Sequence, residues 1–311
     1  MKPWLVMIMA SAALLTASPA HADEAAPADG ADEAAVPDGW QVSSDINLTL
    51  TQNAYTDNWD GDETGALSWV FNSNTLAENQ LTDVVNNKNT LKLSFGQTHK
   101  QDEDSKKWDR PSTNTDLIDF GSVFRFAYGW AVDPFASGRV ESRFLDTSDR
   151  ELTRTLNPTT FTESVGIARV LIKREKRDWT MRLGGAVRQH LNRNALPEGE
   201  AKRENIFTND AGVEFISAFR TPLADGAITL TSDLTVYQAL YYSESDVLDD
   251  GGAPGADDWK STDIDWENTF SAGITKHIVV NLYVQVLYDK EIDPGVRLKE
   301  TLSLGFTFKL L

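Results

Sequence analysis

The most constraining feature of this sequence is an alternation of apolar and polar residues with a period of two, which recurs from Trp40 to the end of the chain. It is clear in the final stretch, where Phe306, Phe308 and Leu310 are separated by polar residues. Successive side chains of a β-strand point to opposite faces of the sheet, so this pattern predicts strands with one apolar and one polar face. We count about twelve such segments.

The lengths of these segments and of their connections indicate a membrane barrel. Many segments persist for about ten residues or more, the length of a tilted strand that crosses a bilayer. The long, polar connections are 99–116, 145–160, 191–206 and 243–263. The short ones are 131–134, 173–178, 221–226 and 275–277. Short turns at one end and long loops at the other are typical of outer-membrane barrels, which must close because lipid cannot pair free backbone groups.

The sequence therefore predicts an all-β fold over residues 40–311, a closed antiparallel transmembrane β-barrel of outer-membrane type with about twelve strands. A soluble β-sandwich or jelly roll would also alternate and is the competing architecture. The barrel is favoured because the polar face carries charges of both signs and because aromatic residues collect near the strand ends, as at membrane interfaces. These aromatic residues are Trp69, Tyr128, Trp130, Trp179, Tyr241, Tyr242, Trp259 and Tyr288.

The N-terminus predicts export. Lys2, the apolar run from Trp4 to Leu15 and the small-x-small site Ala20-His21-Ala22 together indicate a cleaved signal peptide over residues 1–22. The apolar run is too short to span a bilayer as a helix. Residues 23–39 are rich in Ala, Pro, Asp and Glu, which predicts a disordered periplasmic spacer.

Composition removes several classes of function. The formal net charge is -18, and an acidic chain of this kind is a poor partner for nucleic acid, whose affinity depends on Lys and Arg. The absence of cysteine excludes thiol catalysis, and four histidines disfavour a zinc site. We expect no cofactor and no metal centre.

Charges on the polar face are the most informative functional feature, and we expect them to line the lumen. The predicted lumen residues are Arg139, Glu141, Arg143, Glu163, Arg169, Arg182, Arg188, Asp210, Glu214, Asp233, Asp265, Glu267, Arg297 and Lys299. A twelve-stranded bore lies between filled eight-stranded barrels and open porins, so a charged channel and a filled, rigid barrel are both consistent with the sequence. The order of the charges favours paired charges over a selectivity ring of one sign.

Two acidic segments resemble cation loops. The segment 56–64 places Asn58 and Asp60 suitably before Gly61, but Leu67 stands where an EF-hand requires an acidic residue. The segment 249–258 is rich in Gly and Asp. We expect both to be solvated loops, with divalent cations as further candidate partners.

A barrel hydrolase would need a nucleophile, a histidine base and an orienting polar residue. The histidines beyond the leader are His99, His190 and His277, and none lies in a recognisable nucleophile motif. Hydrolysis is therefore the third hypothesis.

The C-terminus has a further expected role. Ser303, Gly305, Phe308 and Leu310 resemble the C-terminal assembly signal of bacterial outer-membrane proteins, with Leu311 as one residue beyond the pattern. The expected partners are outer-membrane lipid, lipopolysaccharide and the barrel-assembly machinery. We expect a monomer.

The first half of the barrel is similar to the DUF3078 family. The resemblance is carried by Asn58-Trp59-x-Gly61, by Lys107-Trp108-Asp109 and by the segments 115–126 and 132–146. Members of that family are bacterial outer-membrane β-barrel proteins of undefined function, so the resemblance implies fold and location but no catalytic residues.

The sequence thus predicts a non-enzymatic outer-membrane protein, a passive channel or small-solute transporter with a charged lumen. The alternative is a structural or surface-interaction barrel that uses its acidic extracellular loops and does not transport.

Overall fold

A computed structural model of the chain describes residues 39–54, 64–102, 104–149, 151–174, 176–197, 202–246, 248, 255–275 and 278–310, with side chains as far as residue 305. The predicted signal peptide and all but the last residue of the spacer lie outside the described residues. So do His277 and most of the two acidic segments.

Twelve long strands form one closed barrel in which every neighbouring pair is antiparallel. They are β1 (Gln41–Asn53), β2 (Ala66–Gln80), β3 (Val85–Lys100), β4 (Ser112–Phe126), β5 (Asp133–Ser142), β8 (Thr159–Arg174), β9 (Arg177–Ala195), β10 (Glu204–Leu223), β11 (Ile228–Tyr242), β12 (Thr262–Gly273), β13 (Ile278–Asp289) and β14 (Asp293–Leu310). Two short strands, β6 (Leu145–Asp146) and β7 (Arg154–Thr155), form a separate hairpin between β5 and β8. The predicted fold class is confirmed.

Consecutive long strands are neighbours, and β14 returns to pair with β1. That closing ladder comprises five pairs in the described backbone, from Ser44 opposite Leu310 to Leu48 opposite Phe306. By contrast, β1 pairs with β2 along its whole length. The closure is therefore the shortest ladder of the barrel and depends on the last residues of β14.

The connections differ between the two ends of the barrel, as expected. At one end the turns are short, for example the 3-10 turn Ala224–Gly226 between β10 and β11. At the other end the segments 101–111, 143–158 and 243–261 are long, and 143–158 carries the β6–β7 hairpin. We call these the short-turn end and the long-loop end.

The register assigns each side chain to a face, because residues directly opposite each other in a ladder share one face. Large apolar side chains on the outer face remain exposed, among them Leu302 at 71% and Leu298 at 68%. The inner face is mostly polar. This is the pattern of a barrel whose apolar surface faces lipid. Among the described residues, no helix is long and apolar enough to cross a membrane.

One predicted strand is misplaced. The alternation predicts a strand from Phe124 to Trp130, whereas β4 runs from Ser112 to Phe126. The start of β4 was hidden because Leu117 faces the lumen beside the outward Ile118, which interrupts the alternation. Tyr128 and Trp130 lie in the short turn after the strand, where their rings pack 5.2 Å apart.

Candidate functional site in the barrel lumen

Eleven of the fourteen predicted lumen residues lie on the inner face. The ladder pairs fix this face, because Asp233 is opposite Glu267 and Asp210 is opposite Arg188. The eleven are Arg139, Glu141, Arg182, Arg188, Asp210, Glu214, Asp233, Asp265, Glu267, Arg297 and Lys299.

Three predicted residues lie elsewhere. Glu163 and Arg169 are on the outer face, opposite the apolar Val187 and Met181 of β9. The prediction failed on β8 because the residues that face the lumen there are small, from Thr160 to Ala168, and do not form a visibly polar face. Arg143 lies just beyond the end of β5, exposed in the long loop.

The central contact of the lumen joins opposite walls. Lys92 on β3 donates from Nζ to Oε2 of Glu267 at 3.2 Å, and the same ammonium lies 4.0 Å from Asp233. In the order of strands around the barrel, β3 and β11 are six positions apart in either direction. Lys92 therefore spans the bore and narrows it at mid-height.

A second ion-pair cluster lines the adjoining wall. Arg139 binds Asp119 side-on, with Nε and Nη2 at 2.8 Å and 3.1 Å from its two carboxylate oxygens, and Nη2 lies 2.7 Å from Glu141. Bidentate contacts of this kind hold a guanidinium in a fixed position. On the facing wall, Asp265 accepts a hydrogen bond of 2.8 Å from Gln285.

These groups interact as one set, which we call the charge belt. The fields of Asp119, Asp233 and Glu267 act on Lys92, and the field of Glu267 also acts on Arg139. Arg182 joins the set through Glu214 and Arg139. The belt comprises Lys88, Lys92, Asp119, Arg139, Glu141, Arg182, Glu214, Asp233, Asp265 and Glu267. It therefore holds six carboxylates and four cationic groups.

A polar network lines the lumen nearer the long-loop end. Arg188 donates to Asp263 at 3.1 Å, and its guanidinium carbon lies 3.4 Å from the centre of the Tyr237 ring. The Tyr237 hydroxyl donates to Asp210. Each of these polar groups is paired within the wall, so the network stiffens four adjacent strands.

His190 belongs to the same network. Its Nε2 lies 2.7 Å from Asp210, and its Nδ1 lies 3.1 Å from the hydroxyl of Thr160. The order hydroxyl, imidazole, carboxylate is that of a hydrolase triad. The strand around Thr160 pairs with β5 on one side and with β9 on the other. Its backbone groups are thus engaged in the sheet and do not form an oxyanion hole, which acyl transfer requires.

The other sequence candidates carry less chemistry. His99 lies on β3 opposite the outer-face Leu67. In the described part of 249–258, Asp258 is paired with Lys290 at 2.8 Å. Among the described residues, no group of three or more metal-ligating side chains is placed to hold a metal ion.

The residues of the expected assembly signal all lie on the closing strand β14. Ser303 and Gly305 pair with Asn281 and Val279 of β13. The backbones of Phe308 and Leu310 pair with Ile46 and Ser44 of β1. Their role as a signal stays a prediction.

Sequence reasoning missed several lumen groups. Lys92, Tyr237 and Asp263 occupy inward positions of strands that the alternation locates, whereas Asp119 occupies an inward position of the misplaced β4. For Lys92 and Asp263, the alternation in the sequence was sufficient to predict that the side chain faces the lumen. Asp119 was missed because the inward Leu117 beside the outward Ile118 interrupts the alternation at the start of β4.

The hairpin loop 143–158 is held by a buried polar cluster outside the barrel wall. Asp146 is 2% exposed and pairs with Arg154 at 2.6 Å, while Nδ2 of the fully buried Asn157 donates to it at 2.7 Å. Burial opposes ionisation of Asp146, but hydrogen bonds from Ser148 and Asn157 and the charge of Arg154 lower its pKa overall. This loop is therefore an ordered part of the long-loop end.

Comparison with known proteins gives distant likenesses. No protein-family model and no curated protein matches the chain. The COG4313 outer membrane channel from Pseudomonas putida F1 is 17% identical over 91% of this chain and 99% of that chain, with a TM-score of 0.41. The beta domain of the Bordetella autotransporter BrkA is 8% identical over 88% and 100%, with a TM-score of 0.36. At these values, the fold assignment rests on the strand pairing of the chain itself.

Proposed function

We propose that this chain is an outer-membrane protein that forms a narrow, passive pore for small hydrophilic solutes, with the charge belt as its constriction. The observation that carries the proposal is the contact of 3.2 Å between Lys92 and Glu267 from opposite walls of the lumen. The constriction is made of side chains and not of backbone, so it can yield to water and ions without unfolding of the barrel.

The outer surface supports a location in a membrane. Apolar side chains on the outer face stay exposed on strands around the barrel, for example Leu48, Val165, Leu183 and Leu302. A soluble protein rarely exposes so continuous an apolar surface. The signal-peptide pattern of residues 1–22 makes the outer membrane the fitting compartment. The relationship to DUF3078 is part of the same proposal.

The charges of the belt support a preference for cations. The belt holds six carboxylates and four cationic groups. Rings of acidic side chains favour cations over anions in channels. The side chains of Arg139 and Lys92 are 46% and 34% exposed, so water reaches the charges inside the barrel. We therefore propose a wet lumen and not a filled one.

Conductance of the refolded full-length chain in a planar bilayer tests this function. We expect small ohmic steps and a reversal potential that shows cation preference in a salt gradient. Lys92→Ala should raise the conductance and the cation preference, because it removes the side chain that bridges the bore and one positive charge. Lys88→Ala is the matched control, since Lys88 lies on the same face of β3, opposite Val123, and acts on Asp233 through its field. It should raise the cation preference but leave the conductance unchanged, because the bridge from Lys92 to Glu267 stays in place.

A folded barrel that stays silent in these recordings would contradict the pore. It would favour the alternative, a surface-interaction barrel. One observation speaks for that alternative: the loop 143–158 is pinned by buried hydrogen bonds, as a recognition surface would require. We also propose that the chain is not an enzyme, since the wall around Thr160 offers no oxyanion site.

A further inference from the structure

Arg297 is a lumen charge whose Nε and Nη2 atoms find no acceptor among the residues that the structure describes. It lies on β14 opposite Leu287, which in turn lies opposite Asp265, so all three share the inner face. The Nε and Nη2 atoms of its guanidinium are buried and make no hydrogen bond. A buried, unpaired charged donor is strongly unfavourable in a folded protein.

The two orphan nitrogens lie on one edge of the guanidinium. Arg139 uses the same edge, Nε and Nη2, to bind both oxygens of Asp119. The planar fork of an arginine matches a carboxylate or a phosphate in this side-on geometry. The buried Nε–Nη2 edge of Arg297 therefore presents two donors in the side-on geometry that binds an oxyanion.

The described part of the chain does not supply the acceptor. Asp265, the carboxylate two strands away at the same level as Arg297, accepts a hydrogen bond from Gln285 instead. Lys299, two residues along the same face, adds a second cation; its ammonium lies 5.9 Å from the centre of the Tyr283 ring. Over the part of the chain that the structure describes, neither Arg297 nor Lys299 forms an ion pair.

We propose that Arg297 and Lys299 form an oxyanion-binding site on the lumen wall, on the long-loop side, which takes a carboxylate or phosphate group. Such a group has two sources. The first source is a free solute in the lumen. The second is the headgroup of an anionic lipid, which would approach along the edge of β14 that faces β1, because this edge is paired only at residues 306–310 in the described backbone. The site goes beyond the pore function and does not require conduction.

The test is binding of inorganic phosphate to the refolded full chain in neutral detergent, with chloride used to hold the ionic strength constant. Saturable binding, followed by phosphorus NMR line width and by thermal stability, is the expected result. Arg297→Gln should weaken it roughly 10-fold or more, the effect of losing a charge-assisted hydrogen bond. Arg220→Gln should leave it unchanged; Arg220 lies on the same inner face, opposite Thr231, near the short-turn end.

Equal phosphate binding by wild type, Arg297→Gln and Arg220→Gln would overturn the proposal, as would no binding to the wild type. Heat-modifiable migration verifies that each variant is folded. If Arg297→Gln fails to fold, Lys299→Gln is the second variant, and it should weaken binding by removing the neighbouring charge.

The source of the oxyanion is decided in vesicles. Phosphate binding that persists in neutral phosphatidylcholine but is lost when anionic phosphatidylglycerol is added identifies a lipid headgroup as the natural occupant. Binding that is the same in both vesicles identifies a free solute. Either outcome retains the site at Arg297.

Discussion

The charged side chains of the lumen differ in how far they reach. Arg139 pairs with Glu141 on its own strand and with Asp119 on the next one, so its contacts hold the wall together locally. Lys92 instead contacts Glu267 and Asp233 across the bore. Removing a local pair loosens one wall, whereas removing Lys92 changes the width of the lumen. The effect of each substitution therefore depends on whether the side chain contacts its own wall or the opposite wall, and not on its burial alone.

Asp146 gives a prediction on pH at the same scale. Because its pKa is lowered in the folded loop, its ionised contacts stabilise the loop above the unfolded pKa of about 3.9. This stabilisation is lost as the pH falls below that value, through the lower folded pKa. We expect the loop 143–158 to become sensitive to pepsin in that acid range while the barrel stays intact.

Two variants check the assignment to Asp146. Asp146→Ala should open the loop at every pH, with a loss of about 3–5 kcal/mol of local stability, because it removes the carboxylate that pairs with the buried Arg154. Asp225→Asn, in an exposed short turn, should leave the pepsin profile unchanged. A wild-type loop that resists cleavage throughout the acid range would show that Asp146 does not control it.

At the scale of the strand, the sequence was sufficient wherever alternation is regular. β13 was located readily because its inward and outward residues differ in polarity along most of its length. β8 is recognisable as a strand, but the sequence assigns its lumen-facing residues to the wrong side of the sheet. Its register also shifts between Val170 and Ile172, where a bulge interrupts the ladder. Small lumen residues and bulges are set by the packing of neighbouring strands, which a single strand's pattern does not contain.

The closing strand makes an element-scale prediction. All five pairs between β14 and β1 lie at residues 306–310, so deleting 306–311 removes the whole closing ladder. An open sheet exposes unpaired backbone groups that lipid cannot satisfy. We expect the truncated chain to be exported but not assembled, as measured by outer-membrane fractionation and by the loss of heat-modifiable migration.

Deletion of Leu311 alone is the matched control, since it leaves all five described pairs between β14 and β1 in place. It should leave assembly intact. Normal assembly of the longer deletion would mean that closure of the sheet does not depend on these residues, and that the C-terminus is not an assembly signal.

At the scale of the whole molecule, the sequence predicts that charges face a lumen but not which of them meet. The contact between Lys92 and Glu267 depends on the diameter and cross-section of the closed barrel, which emerge only when all twelve strands are in register. That Arg297 finds no acceptor among the described residues is hidden from sequence for the same reason. Locating the lumen and its charge was possible; locating its constriction was not.

The two faces of the molecule give the last prediction. Leu302 and Thr301 are adjacent on β14, and both are exposed, the first on the outer face and the second on the inner face. In a soluble barrel, arginine at either position would meet water and cost little. In a bilayer, Leu302→Arg should cost about 2–4 kcal/mol near the midplane, while Thr301→Arg enters a polar lumen and should cost much less. Reversible unfolding of both variants in lipid vesicles measures the difference, and equal stabilities would place the outer face in water.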